Sequence, residues 1–352
     1  MNRYIAAFAL ASALASCTSE GGSVLQTGTD VGIATCNQPL VADTAEECVT
    51  SSSSGSSGST TSDPGEIYAT DMNADLTANG MSYDPATDQV VFDNVPFDGD
   101  DNVYVRNAAT TNYQAASGSS FGTYNNASGT SAPTTEFFAV FRRSPGDYSQ
   151  VGALGSRRYV SYGFGGAGVQ RLNGDGSLPD ADQSYVFTGE YAAVRTIVES
   201  GTATEIQYVA GTSSIDVDIQ DFNNVGAVEG FIVNRQFFDV NGVEVAGIGG
   251  RDFIRLATAE INFDSWTITS STATLQVGNS IDKDATIDAT TTGGTQTASG
   301  TWEGLFAGPN GEEVAGIVFV EGVGAVGVDA GTGLILTSPT VRETGVFQAR
   351  RP

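Results

Sequence analysis

The sequence predicts an all-β fold in two parts, the second an eight-stranded antiparallel β-barrel. Three observations carry that prediction. Short runs of β-branched and aromatic residues are separated by Asn-Gly, Asp-Pro and Gly corners, residues that tolerate positive φ or preset a turn. Long amphipathic helical periods are scarce, while glycine is abundant at 44 of 352 residues, as a chain of many turns requires. In the second half, Ile215, Val217 and Ile219 alternate with Asp216, Asp218 and Gln220, the period-two signature of a strand with one dry and one wet face.

The chain opens MNRYIAAFALASALASC: one basic residue, Arg3, then an apolar run from Tyr4 to Ala15 that is too short to span a bilayer comfortably. A signal peptide is expected over residues 1–16. Its end, Leu14-Ala15-Ser16-Cys17, resembles the lipobox of bacterial lipoproteins, where small residues fit the peptidase and the cysteine thiol carries diacylglycerol. The resemblance implies lipid attachment at Cys17, with several acyl chains anchoring more firmly than one. It also implies that Thr18, standing where an aspartate often means inner-membrane retention, favours the outer membrane.

With Cys17 assigned to lipid, Cys36 and Cys48 remain. In an oxidising envelope two thiols allow one disulfide, closing CNQPLVADTAEEC; two thiols without histidine make a poor metal site. SSSSGSSGSTTSDPG, from Ser51 to Gly65, has almost no apolar side chains with which to offset ordering entropy and is expected to be flexible. Residues 17–65 therefore read as a lipid-anchored tether.

From Glu66 the composition changes. TANGMSYDPATDQVVFDNVPFDG, TTEFFAVFRRS and RRYVSYGFGGAGVQRL place apolar runs between Gly, Pro and Asn corners, and residues 66–181 read as a β-rich domain. Residues 182–352 divide into about eight strand segments, beginning YVFTGEYAAVRTIV and ending ETGVFQARR. An even number of antiparallel strands can close and remove its edges, although an open sandwich would show a similar pattern. Acids on the polar faces argue against a membrane-spanning barrel.

One hairpin is distinctive. In ASGTWEGLFAGPNGEEVAGIVFVEG, Trp302, Leu305 and Phe306 enter a Gly308-Pro309-Asn310-Gly311 corner, and Val314, Ile317, Val318 and Phe319 leave it. The apolar residues are expected to face one interior, with Glu312 and Glu313 in solvent at the start of the return strand. The stretch closely resembles the barrel signature of the transferrin-binding protein B family, through Gly304, Phe306, Gly308, Pro309, Glu312, Glu313 and Gly316. VDIQDFNNVGAVEGFI is a weaker echo of the same family. The resemblance covers the second half of the chain. It implies a handle-like domain over residues 66–181, a packed barrel over 182–352 and display on a lipid anchor. This chain is one lobe long where transferrin binders have two, and its first domain aligns with no known partner-binding surface, so transferrin itself is not implied.

Candidate sites are few. Glu312 and Glu313 are adjacent on a strand and point to opposite faces, so they cannot flank one bond as a catalytic pair. LNGDGSLPDADQ (172–183) is oxygen-rich but lacks EF-hand spacing and reads as a linker; FDGDDN (97–102) reads likewise. Arg142, Arg143, Arg157, Arg158 and Arg171 lie amid Phe137, Phe138, Phe141, Tyr148, Tyr159, Tyr162 and Phe164, the composition of protein-binding hot spots, with the first four the candidates for partner binding. The competing reading places these aromatics in the core and pairs the arginines with acids. A small-ligand cavity inside the barrel is the alternative to a packed interior.

The balance of 41 acids against 15 bases, formally -26, repels nucleic acid. The chain contains no histidine, which removes the commonest general base and transition-metal ligand, and no nucleophile–base constellation is legible. The expectation is a non-enzymatic lipoprotein without a cofactor, anchored in the outer membrane of a Gram-negative cell and probing its surroundings from the surface. Its partner would be a protein or an iron- or haem-bearing solute. The alternative is a structural or adhesive envelope protein with no soluble ligand.

Overall fold

The computed structural model describes residues 66–69, 81–92, 95, 103–126, 136–157, 165–179, 184–199, 202–219, 226–277, 295–328, 331 and 335–352. Cys17, Cys36, Cys48 and Arg158 lie outside them. The first part contains β1 (Glu66–Ala69), β2 (Met81–Asp84), β3 (Gln89–Phe92), β4 (Val103–Arg106), α1 (Ala109–Ser117), β5 (Gly122–Asn125), β6 (Phe137–Arg143), β7 (Ser149–Ser156) and β8 (Gly165–Arg171). Its strands form one sheet in the order β1-β8-β7-β6-β5-β4-β3-β2. The sheet curls, bringing β2 back over β7: Gln150 donates to the Met81 carbonyl at 3.0 Å. Gly152 leaves room there for Phe92 and Met81, both within 3.0 Å of where a Cβ would stand.

The second part is a closed antiparallel barrel of β9 (Ser184–Glu199), β10 (Thr202–Asp218), β11 (Ala227–Phe238), β12 (Asp252–Asn262), β13 (Thr267–Val277), β14 (Thr295–Ala307), β15 (Glu313–Val328) and β16 (Ile335–Arg350). Closure is made by β16 against β9, from Val341 opposite Ile197 to Arg350 opposite Thr188. The alternation read in the sequence fixes the faces: Ile215, Val217 and Ile219 join Trp302, Phe306 and Phe347 in the interior cluster. Asp216 stands exposed on the outer wall.

The hairpin corrects the expectation of a single apolar interior. Trp302, Phe306, Val314 and Val318 face into the barrel, but Leu305, Ala307, Ala315 and Ile317 face out. Their outward side is covered by Ala167 and Val169 of the sheet, in a second core shared between the two parts. A strand buried on both faces loses polar alternation. The nine-residue α1 was not legible, having little amphipathic periodicity. It ends at Gly118, whose φ of 71 suits a left-handed cap, with its N–H donating to the Gln114 carbonyl. Tyr113 of α1 anchors the helix to the barrel, donating to the Val209 carbonyl at 3.1 Å and meeting Phe238 edge-on.

Candidate binding surface and the junction behind it

Arg142 and Arg143 end β6 and point to opposite faces. Arg142 turns to the barrel, 3.2 Å from Glu190 on β9 and over the Phe121 ring. Burial lowers its pKa, against the opposing pull of Glu190. Glu190 also accepts from the Ser119 hydroxyl at 2.9 Å and the Ser120 amide at 2.7 Å, so this pair belongs to the junction. Arg143 turns to solvent, its side chain 35% exposed and paired with Asp147 at 2.9 Å. Arg157 donates through its backbone to the Glu136 carbonyl at 3.2 Å, while its Nε is buried without a hydrogen-bond partner. Phe137, Phe138 and Phe141 are buried.

A second cluster, not picked out in the sequence, lies at the rim of the sheet's own core. Arg106 donates through Nε and Nη2 to Asp88, and Asp88 also accepts from Tyr83 at 3.1 Å and Tyr124 at 2.9 Å. The Arg106 guanidinium stands over the Tyr124 ring, 5.2 Å from its centroid. Burial raises the Asp88 pKa, but the bonds from Arg106 and the two phenols outweigh it and leave the carboxyl below its ordinary value. Arg106 and Asp88 remain about a third exposed, at 34% and 38%. A partly exposed Arg flanked by tyrosines is suited to contact with another protein.

The Gly-Pro-Asn-Gly corner serves the junction. Gly308, with φ of 92, donates to the Asn173 carbonyl at 2.9 Å and accepts from the Gly176 amide at 3.0 Å. The segment entering the barrel therefore lies backbone to backbone against the corner. Gly304 and Gly316 oppose each other across the hairpin. A Cβ on Gly316 would stand 2.5 Å from both the Glu303 carbonyl oxygen and the Phe347 ring.

Glu312 caps its own turn, accepting from the Asn310 amide at 3.0 Å and its side chain at 2.9 Å. Glu313 corrects the expectation of a solvated acid: it is fully buried, accepting from Ser149 of β7 at 2.9 Å and Arg350 at 2.6 Å. Its side chain points at the sheet, which removes water from it. Arg171, at the end of β8, staples the same junction by donating to the Phe306, Ser265 and Trp266 carbonyls at 2.7–2.9 Å. Burial lowers its pKa to about 10.

The barrel interior is packed with side chains and also contains charges. Arg195, Arg235, Asp252 and Glu343 are at most 1% exposed. Arg235 lies 2.7 Å from Asp252 and donates to Glu343, which accepts from Tyr191 at 2.7 Å. Burial pulls the Arg235 pKa down, but the two carboxylates outweigh it and hold the guanidinium charged. Both arginines stack on Phe237. In YAAVRTIV and FIVNRQFF, a cation at an inward position of an apolar strand was the available signal. On the outer wall, Glu303 of β14 is 1% exposed and neither carboxylate oxygen has a hydrogen-bond partner. Burial alone lifts its pKa from 4.5 to about 7.

Of the oxygen-rich linker, Asp175 caps a turn by accepting from the Ser177 amide at 3.0 Å and hydroxyl at 2.7 Å. Among the described residues no group of three His, Cys, Asp or Glu side chains is placed to hold a metal ion.

No family model matches the chain, and no curated protein does. Solved structures of transferrin binding protein B are similar at low scores. A single-substitution variant from Haemophilus parasuis is 16% identical with a TM-score of 0.30, over 61% of this chain and 36% of that one. A double variant from the same organism is 15% identical with a TM-score of 0.32, over 82% and 50% respectively. A variant from Actinobacillus pleuropneumoniae is 15% identical with a TM-score of 0.28, over 60% and 80%. This chain thus spans half or less of the length of the two Haemophilus parasuis proteins. The fold assignment rests on the strand pairing given above.

Proposed function

We propose that this chain is a surface-displayed, non-enzymatic binding module that captures a protein partner, held on the outer membrane by lipid at Cys17. The observation that carries this reading is the junction. The curled sheet is welded to the outer wall of a packed barrel through a shared apolar core, the Arg171 staple and the buried Glu313. Such a body presents a fixed outer surface, and fixed surfaces limit the ordering cost of capture. Recognition falls to the sheet side, at the Arg106–Tyr83–Asp88 rim and at the exposed Arg143. Arg142 and Arg157 act behind that surface.

The test is capture from growth medium, host fluid and envelope extract by the immobilised chain, with retained material identified by mass spectrometry. Transferrin, the ligand after which the structural neighbours are named, is one probe in that panel. One stoichiometric partner, lost on Arg106→Ala or Arg143→Ala with folding intact, supports the reading; a folded chain that retains nothing refutes it. Protease added to intact cells tests display separately, since full protection places the body on the inner side.

A further inference from the structure

The upper ends of β15 and β16 run on beyond their other neighbours. Pairing of β15 with β14 stops at Gly322 opposite Ala298, yet β15 continues to Val328. Above that point Val323–Val328 pairs with β16 alone among the described residues, from Gly324 opposite Ser338 to Val328 opposite Ile335. Register shifts between Gly322 and Gly324, and between Ala325 and Gly327, interrupt the β15–β16 ladder there, while Thr295 and Gln296 of β14 stay paired with β13. Two of the four exposed large hydrophobics among the described residues lie on this ribbon: Val323 at 36% and Leu336 at 48%.

The two edges differ in protection. β16 carries Pro339, which has no N–H to offer an incoming strand. Val323–Val328 contains no Pro and no charge, the usual devices that blunt an edge, and its residues are Gly, Ala and Val.

We infer that the Val323–Val328 edge is an interface that adds a strand, and that its occupant is the same edge of a second copy of this chain. Two considerations choose that occupant. Two-fold antiparallel pairing centred on the segment sets Val323 opposite Val328, Gly324 opposite Gly327 and Ala325 opposite Val326, a self-complementary contact of small, apolar residues. With a formal charge of -26, two copies repel over acidic faces, whereas residues 322–341 hold one charged side chain, Asp329.

Sedimentation velocity of the full chain at about 1–200 µM in ~0.15 M salt, where charge repulsion is screened to about 8 Å, reads the result. A concentration-dependent dimer is expected, with amides 323–328 protected from hydrogen exchange at high concentration. Val323→Lys/Val326→Lys should weaken the dimer at least tenfold and release those amides, with thermal unfolding unchanged. A monomer at every concentration overturns the inference, and so does a dimer that survives the double substitution. Protection of 323–328 only after envelope extract is added overturns it in favour of a foreign strand. The capture reading is independent and survives any of these outcomes.

Discussion

Glu303 offers the most direct physical test of the junction. Its carboxylate faces the outer wall in file with Leu305 and Ala307, which the sheet covers, and neither oxygen has a hydrogen-bond partner. Burial moves its pKa from 4.5 to about 7. The unfolded chain therefore releases this proton near pH 4.5, while the folded chain keeps it until near pH 7. Stability falls as pH rises through that window, and above it the loss levels off at about 3 kcal/mol. Glu303→Gln keeps the shape and removes the titration. Urea denaturation of the native chain and the variant, at pH 5 through pH 8, isolates the effect because every other acid is common to both. The variant's stability relative to the native chain should grow by about 2–3 kcal/mol between pH 5 and pH 8. A difference that stays flat across the range would mean that Glu303 is hydrated or paired, and the reasoning would fail.

Arg235→Met leaves Glu343 and Asp252 buried without their main counter-ion and should destabilise the chain by about 3–5 kcal/mol in urea denaturation. Gly316→Ala drives a methyl into the Phe347 ring and a backbone oxygen, and should cost about 1–3 kcal/mol, read as a lower thermal midpoint. Arg171→Met retains the apolar stem but removes a donor from three carbonyls, of which that of Trp266 keeps the Phe306 amide; a loss of about 1–3 kcal/mol is expected, with faster amide exchange at Phe306 and in the Phe263–Trp266 turn.

The barrel was legible because its inner wall is dry and much of its outer wall is wet. Ile215, Val217 and Ile219 alternate with acids, and that period survives any change of register. The hairpin motif was legible as a corner but not as a socket. What Gly308 touches is set by Asn173 and Gly176, more than a hundred residues earlier. Glu313 shows the same limit: its partner Ser149 is 164 positions away, and a lone acid beside a turn looks solvated until the sheet that dries it is in place. Leu305 and Ile317 carried a readable sign, an apolar run with no polar alternation, which meant burial on both faces. Arg195 and Arg235 broke the apolar pattern visibly, yet choosing Glu343 and Asp252 as their partners needed the barrel's closure. The sheet's rim cluster was hidden because Asp88, Arg106 and Tyr124 belong to three separate short segments.

The strand that closes the barrel is also the last to be made. β9 meets β10 at once, since only two residues separate them, but its other neighbour begins at Ile335. At ~5–20 residues per second, that gap is on the order of ten seconds of synthesis. A chain stopped short of β16 has open edges on both β9 and β15, and it lacks the Glu343 carboxylate that joins Arg235. Sealing the edge and neutralising the interior thus arrive in one event, delivered by one strand. Loss of β16 should therefore be felt as failure to fold rather than as a weaker fold.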